Sequence, residues 1–249
     1  MSAAWIGMVI GLVMGLTGSG GALVAIPLFI LFLDMTLKEA TSFSLVAVSL
    51  SALFNLFAQW ESVDFKLSFW VIPFSILSSF FSIPLKEIIS EWVIFTLLVL
   101  VSVFGSFSVW WPNRNPKQIV NTRDWYPAYG AILGLILGVL TTLTGLGGGV
   151  LIMPALIFFF RFSPMRAVAT SFLPILVTSL AAFLFQWNAG FLPPSPMVFL
   201  SLSAGIAFTA ILFPFVLPQI SPIWITWIRK IAFTLIVLFS LTKIFGVLK

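Results

Sequence analysis

The chain has 249 residues, of which 61% are hydrophobic and 8% are charged, and its net charge is +5. A soluble domain carries about 25% charged residues, so this composition excludes a soluble globular protein and indicates a polytopic membrane protein. Cysteine and histidine are absent, which excludes disulfides, thiolate or imidazole metal sites and histidine-based catalysis. The basic residues are scattered along the chain, so they do not indicate a nucleic-acid-binding surface.

The apolar segments fall into two series of the same order. The first series covers about residues 3–16, 23–33, 40–60, 67–84 and 91–111, and the second covers about 127–143, 150–160, 167–187, 197–217 and 229–248. A polar linker at 112–126 separates them, and its basic residues indicate the cytoplasmic side, where Lys and Arg collect. We therefore expect an all-α polytopic membrane protein with a first transmembrane repeat at 1–111 and a second at 127–249.

The first segment of each half is interrupted by a glycine-rich break. The first break reads Gly15-Leu-Thr-Gly-Ser-Gly-Gly21, the second reads Leu140-Thr-Thr-Leu-Thr-Gly-Leu-Gly-Gly-Gly149, and a proline follows each. A shift of 127 residues aligns the two breaks, which indicates an internal duplication. If each broken segment is counted once, the chain has about eight hydrophobic segments, and each half combines a broken segment with three spanning helices.

Beyond the breaks, two registers of the repeat remain open. Residues 40–43 match residues 169–172 only at a shift of 129, which requires a two-residue insertion in the second loop. Without that insertion the shift of 127 continues, and two pairs of hydroxyl residues match instead: Ser44 with Ser171, and Ser51 with Thr178.

Each broken segment either crosses the membrane or enters it and returns as a hairpin. The pieces before and after the first break reach about 21 Å and about 17 Å as helices, so neither spans a hydrocarbon core of about 30 Å alone. Hairpins leave three crossings per half and divide the twelve basic residues eight to four between the two sides, whereas crossing segments divide them six to six. We expect hairpins, because they give the stronger positive-inside bias. The two halves are then inverted repeats, and both termini lie outside.

Acid–base groups are missing from the predicted membrane interior. All seven acidic residues lie at or beyond segment ends, and Lys and Arg are absent from the middle of the predicted segments. The sequence therefore predicts neither a carboxylate proton relay nor an intramembrane enzyme, since both need such groups at depth. We expect no catalytic residue, no metal and no cofactor, while Na⁺ and H⁺ remain open as coupling ions.

The breaks supply neutral hydrogen-bond donors at depth. A glycine-rich break that opens a half-helix presents unpaired N–H groups at the positive end of a helix dipole, which is an anion site that needs no cation. Close packing of small residues explains a single such cluster, but two clusters at matching positions favour a cavity lining. The predicted binding residues of the breaks are Thr17, Gly18, Ser19, Gly20 and Gly21 in the first, and Thr141, Thr144, Gly145, Gly147 and Gly148 in the second.

The helix after each break carries a polar stripe at helical spacing, for which hydrogen bonding between helices is the alternative explanation. We assign five residues of these helices to the anion site: Thr41, Ser42 and Asn55 in the first half, and Thr170 and Ser171 in the second. Gln59 and Gln186 adjoin tryptophans at segment ends, so we expect them at the membrane interface rather than in the site. We interpret Arg161 and Arg166 as orientation signals.

Two halves that each carry a G-x-G-G-type break, a downstream proline and an A-T-S-type helix start resemble the sulfite exporter TauE/SafE family, also named the toluene sulfonate uptake permease family. The resemblance extends from about Gly7 to Gly246. It implies a multi-pass transporter of the plasma (inner) membrane for small sulfur-containing anions such as sulfite, sulfoacetate or another organosulfonate. The second break, G-L-G-G-G, fits the pattern more fully than the first, G-S-G-G-A.

We therefore expect a secondary transporter that exports such an anion by alternating access around a midplane site where the two breaks meet. An anion channel and a non-transporting membrane assembly subunit are the alternatives. The expected partners are the small anionic substrate and the lipid bilayer, with no nucleic acid, and a homo-oligomer remains open.

Overall fold

The computed structural model describes residues 21–110 and 126–190, together with positions 5, 8, 200, 203–205, 207 and 208. These residues are helical or lie in turns, and no strand occurs among them. The two described ranges contain α1 (Gly21–Leu33), α2 (Leu37–Ala58), α3 (Phe65–Ile88), α4 (Glu91–Trp110), α5 (Tyr126–Thr144), α6 (Gly149–Phe158) and α7 (Pro164–Asn188). A short 3-10 helix, Trp60–Ser62, joins α2 to α3.

Four stretches in the described ranges are long and apolar enough to cross a membrane: Leu37–Phe57, Phe65–Ile88, Tyr126–Thr144 and Arg166–Asn188. They confirm the predicted segments 40–60, 67–84, 127–143 and 167–187, and the described chain is all-helical, as a polytopic membrane protein of this kind requires. Helix α4 corresponds to the predicted segment 91–111, while α1 and α6 are shorter helices of 13 and 10 residues. The predicted segments 3–16, 197–217 and 229–248 lie outside the two described ranges.

Polar caps define where the spanning helices begin. Thr36 and Glu39 form a capping box at the start of α2, in which each side chain accepts a hydrogen bond from the other residue's backbone N–H. Asp64 caps α3 and Ser163 caps α7 in a similar way. These side chains satisfy N–H groups that the first turn of a helix leaves unpaired.

Helices α3 and α5 pack along three glycines spaced four residues apart, which we call the glycine seam: Gly130, Gly134 and Gly138. A Cβ on Gly134 would overlap the Val71 carbonyl oxygen, and a Cβ on Gly138 would overlap the Ser75 carbonyl oxygen. Ser79 Oγ also donates to the Gly138 carbonyl at 3.3 Å. Small residues at this spacing let two membrane helices approach backbone to backbone, so α3 and α5 form a closely joined pair.

Polar contacts mark the two ends of the helix bundle. At the first end, the Tyr126 hydroxyl donates to the Asp64 carboxylate at 3.2 Å, so α5 and α3 begin together. At the second end, Lys86 Nζ donates to Gln186 Oε1 at 2.8 Å and to Ser42 Oγ at 2.9 Å. Helices α3, α5 and α7 therefore run parallel, and α2 runs antiparallel to them. We call the two ends the Asp64 end and the Lys86 end.

The chain reverses direction between α5 and α6. Tyr126, at the start of α5, packs its ring against that of Phe160, which follows α6, with the ring centroids 5.6 Å apart. The segment that leaves the Asp64 end as α5 therefore returns to the same end after α6. The second broken segment thus folds back on itself. That it enters the membrane and returns stays a prediction from the charge distribution, and most of the first broken segment lies outside the described residues.

Two turns related by the shift of 127 residues share one backbone conformation. Asp34 and Arg161 both have φ 51°, a left-handed value that is uncommon outside glycine. In each turn an N–H beyond the helix donates to a carbonyl six residues earlier: Met35 to Phe29 at 3.5 Å, and Phe162 to Leu156 at 3.1 Å. Helices α2 and α7 then begin at Leu37 and Pro164. Turns of equal length favour the register of the repeat that has no insertion in the second loop.

Candidate functional site

The break between α5 and α6 is built from glycine backbone. Gly145, Gly147 and Gly148 have φ 70°, 67° and 68°, values at which a residue with a Cβ is strained. Gly148 immediately precedes α6, and no side-chain hydrogen bond caps that helix end. The first N–H groups of α6 therefore lack a capping side chain, and the positive end of the helix dipole faces the break.

Helix α2 holds the break in place. Ser44 Oγ donates to the Gly145 carbonyl at 2.7 Å, and a Cβ on Gly145 would overlap the Thr41 carbonyl oxygen. Farther along the tip, a Cβ on Gly147 would overlap the Val48 side chain. Val48 lies at about the middle of α2, whereas Thr41 lies in its first turns, so the break extends from near the Lys86 end to about the middle of α2.

Three buried hydroxyls in or beside the break, those of Thr141, Thr142 and Ser179, have no hydrogen-bond partner among the described residues. Thr141 Oγ1 lies 3.0 Å from the position that a Cβ on Gly148 would take, and Ser179 Oγ lies 3.2 Å from the corresponding position at Gly147. Both residues are completely buried and both hydroxyls are unsatisfied. Such a hydroxyl costs about 1–3 kcal/mol, and most buried polar groups in proteins are paired. Their place beside an uncapped helix start therefore suits a ligand rich in acceptors.

A basic side chain is buried at the Lys86 end. Lys86 is 0% exposed, and its Nζ donates to oxygen atoms of Ser42 and Gln186. Gln186 Nε2 in turn donates at 3.0 Å to the carbonyl of Thr142, in the last turn of α5 before the break. This chain of hydrogen bonds joins α2, α3, α7 and α5. We call Lys86, Ser42, Gln186 and Thr142 the lysine junction.

A family model described as sulfite exporter TauE/SafE matches residues 3–242. The chain belongs to the TauE/SafE family. Two relatives of this TauE/SafE chain are probable membrane transporter proteins of Bacillus subtilis (strain 168). YunE is 29% identical over 200 residues, which cover 70% of the chain and 73% of YunE. YjnA is 27% identical over 184 residues, which cover 68% of the chain and 72% of YjnA. No solved structure gives a significant match.

The family match confirms the resemblance found in the sequence, and it covers both breaks. The four apolar spans in the described ranges and the names of the two relatives agree with this match, so this TauE/SafE chain is a multi-pass membrane transporter.

The structure brings five predicted residues of the TauE/SafE chain together at the second break: Thr141, Thr144, Gly145, Gly147 and Gly148. Thr41 and Ser42 lie nearby on α2, Thr41 with its backbone against Gly145 and Ser42 in the lysine junction. From the first break, Gly21 is described as the first residue of α1. The other predicted residues of that break lie outside the described residues: Thr17, Gly18, Ser19 and Gly20.

Three predicted site residues of the TauE/SafE chain are not brought to the break. Thr170 Oγ1 accepts a hydrogen bond from the Asp64 N–H at 3.0 Å, at the Asp64 end. Ser171 donates to a carbonyl of its own helix at 2.7 Å. Asn55 likewise donates within α2 at 2.8 Å. These polar atoms are engaged in local or interhelical hydrogen bonds, which is the alternative that the sequence left open.

Gln186, which we expected at the membrane interface, is buried in the bundle near the end of α7, and its depth in the membrane stays a prediction. Gln186 is 0% exposed, whereas the adjacent Trp187 is 43% exposed. Neighbours on a helix project about 100° apart, so the lipid-facing position of Trp187 does not extend to Gln186. The amide of Gln186 instead bridges Lys86 and the last turn of α5.

Sequence reasoning also misses Lys86 and Ser179. Lys86 follows a predicted segment that ends at residue 84, but α3 continues through Pro84 to Ile88 and buries the lysine. One signal was present, because Lys86 continues a row of serines at helical spacing on α3: Ser68, Ser75, Ser79 and Ser82. Ser179 adjoins Thr178 of the predicted stripe. The hydroxyls of Thr178 and Ser75 form a hydrogen bond at 2.6 Å, whereas the hydroxyl that lies beside the break is that of Ser179.

The Asp64 end contains the ion-pair junction, which we define as Asp64, Arg166, Tyr126 and Thr170. Arg166 binds the Asp64 carboxylate at 2.6 Å, and the two side chains are 49% and 9% exposed. The guanidinium also lies 4.4 Å from the ring centroid of Phe162. This junction ties the starts of α3, α5 and α7 together at the surface of the TauE/SafE chain.

Proposed function

We propose that this TauE/SafE chain is a secondary transporter that exports a small sulfur-containing anion, such as sulfite, sulfoacetate or another organosulfonate, across the plasma membrane. The observation that carries the proposal is the second break, where the uncapped start of α6 lies beside the unsatisfied hydroxyls of Thr141 and Ser179. The oxygens of a sulfur oxyanion accept hydrogen bonds from both kinds of donor. The description of the family, sulfite exporter, supports this class of anion.

The relation between α2 and α7 supports alternating access. The two helices follow turns of the same conformation, and they pack against each other in opposite directions through Val46 and Phe183. Inverted repeats whose broken segments approach the membrane midplane form the binding sites of many alternating-access carriers. We infer that the first break, residues 15–21, meets the second break around the same anion.

The distribution of basic residues supports a cytoplasmic Asp64 end. Lys66, Arg161 and Arg166 belong to this end, and the linker at 112–126 leads into it at Tyr126. Lys38 lies at the opposite end, where its Nζ donates to the Glu87 carbonyl at 3.3 Å. By the positive-inside rule, the lysine junction then faces the outside of the cell.

The chemistry of the break supports transport rather than catalysis. Its groups are backbone amides and hydroxyls, and within the described ranges the carboxylates lie at helix ends or in turns. We therefore propose no enzymatic step and no resident cofactor. The flux assay below tests whether transport is coupled to H⁺ or to Na⁺, which carbonyl and hydroxyl oxygens could bind.

The test is anion flux into proteoliposomes that contain the purified chain. Sulfite, sulfoacetate, taurine and a dicarboxylate are compared, each with and without a Na⁺ or a pH gradient. We expect saturable flux of one sulfur oxyanion, and the gradient that accelerates it names the coupling ion. Flux that does not saturate and far exceeds carrier rates would replace the carrier with an anion channel. Absence of flux for all four compounds would contradict the proposal and favour a membrane assembly subunit.

A further inference from the structure

A groove lies between the first turns of α3 and α5 at the Asp64 end, and we call it the α3–α5 groove. It encloses about 460 Å³, which lies within the range of about 300–1,000 Å³ that is typical of ligand pockets. Six residues of the two helices line it: Phe65, Lys66, Phe69, Trp70, Tyr126 and Pro127. None of them belongs to the break or to the lysine junction, so the groove is separate from the anion site described above.

The apolar wall of the groove faces the lipid. Both α3 and α5 are long and apolar enough to cross a membrane. On α3, the side chain of Phe69 is 68% exposed and that of Trp70 is 37% exposed. The groove adjoins the glycine seam, because a Cβ on Gly130 would lie 2.8 Å from Trp70 Cβ. Aromatic residues near the ends of membrane helices sit at the level of the lipid headgroups, so this wall begins at that level.

Lys66 supplies the positive charge of the groove. It is exposed in the first turn of α3, and within the two described ranges no hydrogen bond or ion pair involves its ammonium. The nearby carboxylate of Asp64 is already bound by Arg166 at 2.6 Å and by the Tyr126 hydroxyl at 3.2 Å. Glu61 belongs to the same end of the bundle but does not line the groove. The ammonium of Lys66 is therefore available to a negatively charged ligand.

A cation above an aromatic, lipid-facing wall suits an amphiphilic ligand. The phosphodiester of a phospholipid accepts hydrogen bonds from an ammonium, and its acyl chains pack on the aromatic side chains. Basic pockets between membrane helices on the cytoplasmic side bind anionic headgroups in this way. The linker before α5 adds further basic residues in the sequence, Arg114, Lys117 and Arg123. Basic segments beside a membrane helix attract anionic lipids to the same leaflet.

We propose that the α3–α5 groove binds an anionic phospholipid of the cytoplasmic leaflet, with the phosphodiester on Lys66 and an acyl chain along Phe69 and Trp70. This site goes beyond the proposed function, because its ligand belongs to the surrounding bilayer and is not the transported anion. The choice of leaflet rests on the orientation proposed above, whereas the groove and its charge do not. A lipid held there contacts the starts of α3 and α5 together and stabilises the pair.

The test measures lipid binding to the purified full chain in detergent by native mass spectrometry. Dioleoyl phosphatidylglycerol is the anionic probe, dioleoyl phosphatidylcholine has the same chains without net charge, and glycerol phosphate is a headgroup without chains. Lys66→Gln removes the charge and Lys66→Arg keeps it. Arg161→Gln is the matched control, because Arg161 is an exposed cation at the same end that does not line the groove. The thermal unfolding midpoint is recorded with and without each lipid.

We expect wild type to bind phosphatidylglycerol more tightly than phosphatidylcholine. Lys66→Gln should weaken phosphatidylglycerol binding by about fivefold or more, which corresponds to the contribution of one basic residue near an anionic surface, and should leave phosphatidylcholine binding unchanged. Lys66→Arg should keep the preference, and Arg161→Gln should stay within about twofold of wild type. The rise in unfolding midpoint that phosphatidylglycerol causes in wild type should be smaller in Lys66→Gln, because a ligand stabilises the folded state that binds it.

Four outcomes would overturn the inference. They are equal affinities of wild type for the two lipids, unchanged phosphatidylglycerol binding by Lys66→Gln, equal weakening by Lys66→Gln and Arg161→Gln, and glycerol phosphate binding as tightly as the lipid. Equal weakening would assign the preference to the overall charge of this end, and tight binding of glycerol phosphate would indicate a site for a free anion. A mass of two chains without lipid that is lost in Phe69→Ala would assign the groove to a second copy.

If Lys66→Gln does not fold, Phe69→Ala tests the apolar wall instead. Weaker binding of both lipids by that variant supports the groove, and unchanged binding refutes it. Lipid binding is measured without flux, so the two proposals fail separately. Absence of anion flux would remove the proposed function and leave the lipid site, whereas absence of a preference for the anionic lipid would remove the lipid site and leave the transporter.

Discussion

Helix α3 has a charged residue near each end, and the two side chains differ in their burial and in their partners. At the Asp64 end, the carboxylate meets the Arg166 guanidinium at 2.6 Å, and the arginine side chain is 49% exposed. At the Lys86 end, the ammonium is 0% exposed and binds oxygens of Ser42 and Gln186. The Arg166 side of the first contact reaches solvent, whereas the Lys86 side chain is completely buried.

The ion pair at the Asp64 end is the shorter contact, but we expect it to contribute less to stability than the buried contacts of Lys86 do. The Arg166 side of the ion pair is half exposed while the Asp64 side chain is 9% exposed; because water and salt screen the arginine, we expect a contribution near that of a surface pair, about 0–1 kcal/mol. Removing one partner of a buried polar contact, such as those of Lys86, lowers the free energy of unfolding by more than removing a partner at the surface does. We therefore expect the lysine junction to contribute more to stability than the ion-pair junction.

The largest expected effect comes from Gly145, where the Lys86 end meets the break. Gly145→Ala introduces strain at φ 70° and an overlap with the Thr41 carbonyl, so we expect a loss of about 2–5 kcal/mol in unfolding free energy and no flux. Gly190→Ala is the matched control, because Gly190 has φ 88° but nothing within 4 Å of an added Cβ. It should cost only the backbone strain, about 1–2 kcal/mol. Equal unfolding midpoints for the two variants would show that the contact with α2 is unimportant.

The next largest effect is expected when the two glutamines that the shift of 127 residues relates, Gln186 and Gln59, are compared for their contribution to stability. Gln186→Leu removes an acceptor from Lys86 and a donor from the Thr142 carbonyl, so we expect a loss of about 2–3 kcal/mol. Gln59→Leu, at a partly exposed position after α2, should change stability by less than about 0.5 kcal/mol. Denaturant unfolding in detergent measures both. Similar losses would contradict the larger stability contribution that we expect from the buried contacts of Gln186.

Ser179→Ala separates binding from stability at the break. The hydroxyl is buried and unsatisfied, so its removal should leave the unfolding midpoint unchanged or slightly higher. Loss of one donor to the anion should weaken its apparent affinity in the flux assay by about 3- to 10-fold. Ser49→Ala is the control, because Ser49 Oγ is buried but already donates to the Val46 carbonyl at 2.9 Å. Undiminished affinity in Ser179→Ala would mean that this hydroxyl does not contact the anion.

The smallest effect is expected at the Asp64 end. Asp64→Asn breaks the ion pair but keeps an N-cap for α3, since Asn caps helices about as well as Asp. We expect a loss of at most about 1 kcal/mol, which should diminish in 1 M salt, where the Debye length is about 3 Å. Unfolding of wild type and variant at low and high salt tests this. A larger loss that is insensitive to salt would remove the distinction between the two ends.

The hydrophobic pattern predicts the fold within the described ranges because membrane helices must be long and apolar over their whole length. The chain returns to the Asp64 end after α6, whereas its entry into the membrane as a hairpin stays a prediction from the charge distribution. The glycine seam was not predicted, because the spacing of Gly130, Gly134 and Gly138 does not name the helix that they contact. That partner, α3, is 50 or more residues away in the chain.

The same limit applies to the candidate site. A hydropathy profile treats Lys86 as the edge of a segment, since it counts the charge but not the direction in which the side chain projects. Only tertiary contacts with α2 and α7 reveal that this lysine is buried. Asn55 and Thr170 show the opposite case, in which a polar residue of the expected type is engaged by a neighbouring backbone. The sequence thus gives the type of each residue, but it does not show which residue of the fold that side chain contacts.

The glycine seam joins α3 and α5 backbone to backbone. Because no side chains lie between the two backbones, neither helix can shift past the other without overlap. We therefore expect α3 and α5 to behave as one rigid unit, so that any displacement among these four helices falls on the contacts that this unit makes with α2 and α7.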